Sequence, residues 1–177
     1  MKKMLILTIL VLLIPFIVMA QKVDNTPVTR LNLKSYLGDW YEIARFDHSF
    51  ERGMEDVRAM YTLNDDGTVQ VCNTGWKDGK FRQTKGKAFV PDPVGNPGLL
   101  RVSFFGPFYS DYRVLMIDRD YEYALVGSKS GKYLWILSRM PSVPDGTMAS
   151  ILTEAERRGY DTEDLIWVHQ KDANSEW

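Results

Sequence analysis

The sequence predicts an all-β fold: an eight-stranded up-and-down antiparallel β-barrel, one C-terminal α-helix packed outside it, and a short final strand. Three observations predict it. Between Gly38 and Ser138 the apolar residues recur with period two in eight short runs, each bounded by turn-forming residues. After Pro141 and Pro144 the apolar period lengthens to that of a helix. The connections between runs are short, so each strand pairs with the next; closing such a sheet removes both edges, and eight strands leave room for one small ligand.

The first segment stands apart from that domain. Lys2 and Lys3 precede an apolar run over 4–19, and Val18-Met19-Ala20 supplies small residues for a signal peptidase. The run is short for a membrane span and contains Pro15. Residues 1–20 are therefore expected to be a cleaved secretory signal peptide, and 21–177 the barrel domain. Without Lys2 and Lys3, 20 basic residues face 23 acidic ones, a net charge of about −3 that excludes a nucleic-acid partner. The single cysteine, Cys72, excludes an intrachain disulfide.

Taken in order, 25–36 leads in, with Pro27 interrupting regular structure and 33–37 suited to one helical turn. In the first strand Trp40, Glu42, Ala44 and Phe46 share one face, and Tyr41, Ile43 and Arg45 the other. The second strand is 57–63. Asn64-Asp65-Asp66-Gly67 turns the chain into the third, 68–74, because Asp and Gly tolerate positive φ. The fourth strand is 82–90; Pro91 to Gly98 is a loop. The fifth strand, 100–105, ends at Gly106-Pro107, and 112–117, 123–128 and 133–138 follow as strands six to eight. Met148, Ile151, Leu152 and Ala155 form one helical face, with Asp145 as the expected N-cap and Gly159 as terminator. The final strand is 165–168.

Alternate turns of a meander lie at the same end. This places the loop 47–56 and the turns at 75–80, 106–110 and 129–132 at one end, and brings Trp40 and Arg139 together at the other. Strand parity points Ala44, Phe46, Ala59, Tyr61, Val69, Val71, Leu100, Val102, Phe104, Tyr112, Val114, Met116, Tyr133 and Trp135 inward. Strands four and seven have no clear parity. Composition alone leaves open whether this interior is a filled core or a lined cavity. At the mouth, Phe50 and Met54 on one loop and Pro107, Phe108 and Tyr109 on another give apolar surface for an entering chain or for a second copy in a homodimer. His48, Arg52 and Lys132 are placed to meet a carboxylate or phosphate there.

Nothing points to catalysis. The two histidines, His48 and His169, lie far apart in sequence, and no HExxH, CxxC, GxSxG or glycine-rich phosphate loop occurs. Cys72, between inward Val71 and Asn73, faces outward, while Glu42 faces inward and suits a hydrogen bond to a neighbour. No enzyme activity, cofactor or metal is expected.

Gly38-Asp39-Trp40 followed by Tyr41-Glu42-Ile43-Ala44 resembles the first signature of the lipocalins, and its continuation through Phe46-Asp47-His48-Ser49-Phe50-Glu51-Arg52-Gly53 resembles the bacterial and apolipoprotein D-like members. The run 110–118 resembles the second signature and Leu134-Trp135-Ile136-Leu137-Ser138-Arg139 the third. The resemblance covers nearly all of 21–177. It implies a lined cavity, with Gly38, Trp40 and Arg139 sealing the base and the inward residues other than Val69 and Leu100, together with Phe50, touching a ligand. The ligand class it implies is a fatty acid or lysophospholipid; the alternatives are a flat tetrapyrrole or, in another class, an enzyme acting on a lipid. Many bacterial members carry an anchor cysteine directly after the signal. Gln21 stands at that place, so a soluble periplasmic or secreted protein is expected, with any membrane association peripheral.

Overall fold

In the computed structural model, which describes residues 23–171, the barrel is set up by a capped turn of helix. The Asn32 side chain accepts from the backbone N–H groups of Lys34 and Ser35 and starts α1 (Leu33–Tyr36). Gly38, at φ +93°, then redirects the chain into β1 (Gly38–Phe46). There follow β2 (Glu55–Leu63), β3 (Val69–Lys77), β4 (Lys80–Phe89), β5 (Leu99–Phe105), β6 (Phe108–Ile117), β7 (Tyr123–Gly127) and β8 (Leu134–Ser138). Each pairs antiparallel with the next, and β1 pairs with both β2 and β8, which closes the barrel. The expected leader at 1–20 lies outside the described residues.

The eight expected strands are all present, and two hairpins are tighter than the sequence suggests. β3 and β4 run up to a two-residue turn at Asp78-Gly79, both at positive φ. β6 begins at Phe108, directly after Gly106-Pro107, so Phe108 and Tyr109 belong to a strand rather than a loop. Helix α2 (Asp145–Arg157) has Pro144 at its N-cap, not Asp145. Asp145 instead occupies the first turn, where its charge meets the positive end of the helix dipole.

After α2 a 3₁₀ turn (Thr162–Asp164) leads to β9 (Leu165–Trp167), which pairs with Ala44–Phe46 of β1. The reason is visible in the registers. The β1–β2 ladder covers only Gly38 to Tyr41, after which β2 diverges and leaves the upper edge of β1 unpaired by it. The C-terminal segment fills that seam: Val168 N donates to Ile43 O, Asp56 N donates to His169 O, and the Gln170 amide donates to Glu42 O and Val57 O.

Two apolar clusters result. One, with buried residues from all eight barrel strands, is the barrel interior: Trp40, Tyr61, Val69, Val71, Ala88, Leu100, Val102, Val114, Ala124, Val126 and Leu137, closed below by Val28, Leu31, Leu33, Tyr36 and Leu37. The other lies between the outer wall and α2, around Ile43, Leu115, Leu125, Ile136, Ile151, Ala155 and Tyr160. Ala44, Phe46 and Met116 belong to this outer cluster, which corrects the expectation that they face inward. The cause is a bulge in β1 between Glu42 and Ala44 and another in β6 between Val114 and Met116. One extra residue in a strand reverses the facing of every residue beyond it.

Candidate ligand-binding site

The floor of the barrel is a sealed layer. The Arg139 guanidinium lies 3.8 Å from the centre of the Trp40 ring and donates to the carbonyls of Ser35, Tyr36, Leu37, Asp39 and Tyr121. A side chain at Gly38 would approach Arg139 Nη1 to 3.3 Å, so glycine serves both the positive φ and the close contact. Above this, the Tyr112 hydroxyl meets that of Tyr36 at 2.5 Å and that of Tyr61 at 2.9 Å. Burial pushes the pKa of all three phenols up, so the tyrosine layer above Arg139 is polar but uncharged.

Higher up, the interior opens. The ladder Ala59–Asn73–Thr84 and its neighbour Val71–Gly86 fix the inward face of β4, for which the sequence showed no parity: Thr84, Gly86 and Ala88 point in. On β7, Ala124 and Val126 point in. Phe104 lies over Gly86; a Cβ there would fall 2.8 Å from Phe104 Cδ1. Thr84 and Ser110 face inward by register yet are exposed, and Ala59, Asn73, Phe104, Tyr112 and Trp135 are half-buried. Inward residues in contact with solvent mean a cup that is open at the end opposite Trp40. Of the residues expected to touch a ligand, Tyr61, Val71, Val102 and Val114 belong to the buried lower layer. Ala59, Phe104, Tyr112 and Trp135 line the cup, and Phe50 and Tyr133 stand at its mouth.

A charged network occupies one wall of the mouth. The β1 bulge turns Arg45 inward, opposite Trp135, where it is almost fully buried; the sequence parity had placed it outside. Arg45 Nη1 pairs with Glu42 Oε1 at 2.7 Å, and Nη2 donates to Glu51 O at 2.7 Å. Trp135 Nε1 donates to Glu51 Oε2 at 3.2 Å, and His48 Nε2 lies 2.9 Å from the same oxygen. The loop 47–54 is thereby fastened to the lumen wall. Burial, reinforced by the nearby Glu51 carboxylate, pushes the Glu42 carboxyl well above the usual carboxylate range despite its pairing with Arg45.

His48 is buried, stacked on Phe50 with ring centres 3.9 Å apart, so it is not the free rim cation expected of it. Arg52 is exposed but held by the Asp47 carboxylate through two nitrogens. Lys132 is exposed. Cys72 pairs across the outer face with Met60 and Lys85, and the Gln83 amide covers it, donating to Sγ at 3.2 Å. Arg45, Glu51, Thr84 and Ser110 are the site residues that sequence reasoning missed. β4 alternates among charged and polar residues and so carries no apolar face, and nothing in the sequence marks the β1 bulge.

Residues 31–170 match the model of the lipocalin-like domain. The chain is 48% identical to the outer membrane lipoprotein Blc of Escherichia coli K12 over 149 residues, covering 82% of each chain. It is 33% identical to mouse (Mus musculus) apolipoprotein D, covering 84% of this chain and 82% of that protein. Insecticyanin from the tobacco hornworm Manduca sexta has the same fold, with a TM-score of 0.69 at 21% identity over 84% of this chain and 85% of that one. A closed eight-stranded meander sealed by Trp40 and Arg139, with a helix and a ninth strand outside it, therefore belongs with these matches: the chain is a lipocalin, similar to the bacterial Blc proteins and to apolipoprotein D.

Proposed function

We propose that this protein binds a small hydrophobic ligand in the barrel cup, and that the ligand is a single-chain lipid, a fatty acid or a lysophospholipid. The observation that carries this is the solvent contact of inward-facing Thr84 and Ser110 above a fully closed floor. Ala59 and Gly86 give the cup narrow, small-residue walls, and Phe104 and Trp135 add flat apolar surface. An acyl chain matches that shape. Burying methylenes is worth about 0.8 kcal/mol each, so a chain of about sixteen carbons offers roughly 12 kcal/mol. Association and ordering cost about 4–15 kcal/mol, and the expected dissociation constant lies in the micromolar range.

The relatives support an envelope location, since Blc is named as an outer membrane lipoprotein. The reading is of an exported carrier that binds and releases lipid unchanged, and lipid recovered after incubation should be chemically intact. Titration with a fluorescent fatty acid tests the site. Thr84→Trp fills the cup at an exposed position and should weaken binding at least tenfold, about 1.4 kcal/mol, with the unfolding midpoint unchanged. Wild-type affinity in Thr84→Trp would move the ligand out of the cup.

A further inference from the structure

The open end carries an apolar tip that the cup does not use. Phe105 and Phe108 flank Gly106-Pro107 at the end of the β5–β6 hairpin, and each is 79% exposed. Phe81, beside the neighbouring β3–β4 turn, and Phe50, on the loop 47–54, are also exposed at this end. Large apolar side chains gathered at hairpin tips around one rim mark a contact surface.

Charge identifies what they contact. The open-end segments 47–56, 77–82, 105–108 and 128–133 hold six basic residues and five acidic ones. Of the acidic five, Glu51 and Asp56 are buried and Asp47 is taken by Arg52, which leaves Lys77, Lys80, Arg82, Lys129 and Lys132 facing Glu55 and Asp78. The closed-end turns 63–68, 90–98 and 117–122 hold six acidic residues and one basic. A chain that is acidic overall is thus polarised along the barrel axis, with its positive end at the apolar tips. Such a dipole turns the mouth toward an anionic surface. It also opposes a mouth-to-mouth dimer, which would bring two basic rims together.

We infer that the open end docks on an anionic phospholipid surface, with Phe105 and Phe108 entering the boundary between head groups and acyl chains and the rim lysines meeting lipid phosphates. The tip is then a transfer surface through which a lipid reaches the cup without crossing water. The docking itself does not depend on what the cup holds.

The test is flotation of the purified protein with vesicles of phosphatidylglycerol and phosphatidylethanolamine, or of phosphatidylcholine alone, at low and high salt. Binding is expected on the anionic vesicles only and should weaken as salt rises. Phe105→Ser/Phe108→Ser, at two exposed positions, should cut it at least tenfold, as should Lys80→Glu/Lys129→Glu. Both variants should still bind fluorescent fatty acid in solution, whereas Thr84→Trp should still float with the vesicles, so the docking surface and the cup fail independently. Wild-type protein that floats with neither vesicle, or with both equally at every salt concentration, would overturn the inference. So would a sedimentation shift from dimer to monomer in Phe105→Ser/Phe108→Ser with vesicle binding intact, which would assign the tip to a second copy.

Discussion

Arg139 closes the barrel by lying 3.8 Å from the centre of the Trp40 ring while donating to five backbone carbonyls on three separate segments. The cation–π contact contributes about 0.5–2 kcal/mol. Losing the donors strands carbonyls of α1 and of the β6–β7 turn, at about 1–3 kcal/mol for a group left without a partner. Arg139→Ala is expected to lower stability by about 2–4 kcal/mol in urea denaturation, and Arg139→Lys to recover only part of it, because an ammonium lacks the planar fork. Fatty-acid affinity should change far less, since Arg139 lies beneath the tyrosine floor. An unchanged midpoint in Arg139→Ala would refute the structural role.

Phe46 tests the bulge in β1. It packs beside Tyr160 in the outer cluster, with ring centres 6.0 Å apart. Phe46→Ala should therefore cost about 1–3 kcal/mol of stability and leave acyl binding unchanged. A loss of binding with stability intact would return Phe46 to the lumen and remove the bulge.

That residue also shows where the sequence was legible. Period-two runs and turn residues marked all eight strands, and counting strands brought Trp40 and Arg139 to one end before any contact was seen. Parity then served well as far as each bulge. Trp40, Ala59, Tyr61, Val102 and Val114 face inward, but Ala44, Phe46 and Met116 do not, and Arg45 does. A bulge needs no glycine or proline, and neither Ile43 nor Leu115 differs in type from an ordinary strand residue. The wet half of the cup was hidden for a different reason. Its inward residues on β4 and β6 include Thr84 and Ser110, and an open lumen does not require the apolar alternation by which strands are read.

Glu42 makes the mouth pH-sensitive. Burial and the Glu51 carboxylate raise its pKa in the folded chain above the unfolded value. Its contribution to stability is therefore fully present below the ordinary carboxylate pKa and is lost as pH rises through the raised native value. Glu42→Gln keeps the shape without titrating. The stability of the wild type relative to Glu42→Gln should therefore fall as pH rises from the ordinary carboxylate range through the raised native value, read as urea midpoints at a series of pH values. A relative stability of the wild type that rises with pH would show that Arg45 holds Glu42 ionised instead.

The division of the interior into a packed lower layer and an open upper one makes a paired prediction. Val114 is 0% exposed, its backbone bonded to Gly98 O and Val28 N, with Leu100, Val126 and the rest of the lower cluster around it. Thr84 faces the same lumen but touches solvent. Val114→Trp inserts an indole where no space exists, and overpacking of this kind costs about 1–3 kcal/mol. Thr84→Trp inserts the same indole into the cup, where an exposed substitution shifts stability by only about 0.5 kcal/mol either way. Denaturation midpoints should thus separate the two variants, while fatty-acid titration should find Thr84→Trp the worse binder because the indole stands where the chain enters. Two small and equal losses would mean that the hollow extends down to the tyrosine floor, and a chain could then reach Val114. Two large and equal losses would mean that the whole interior is filled, which leaves no room for a lipid.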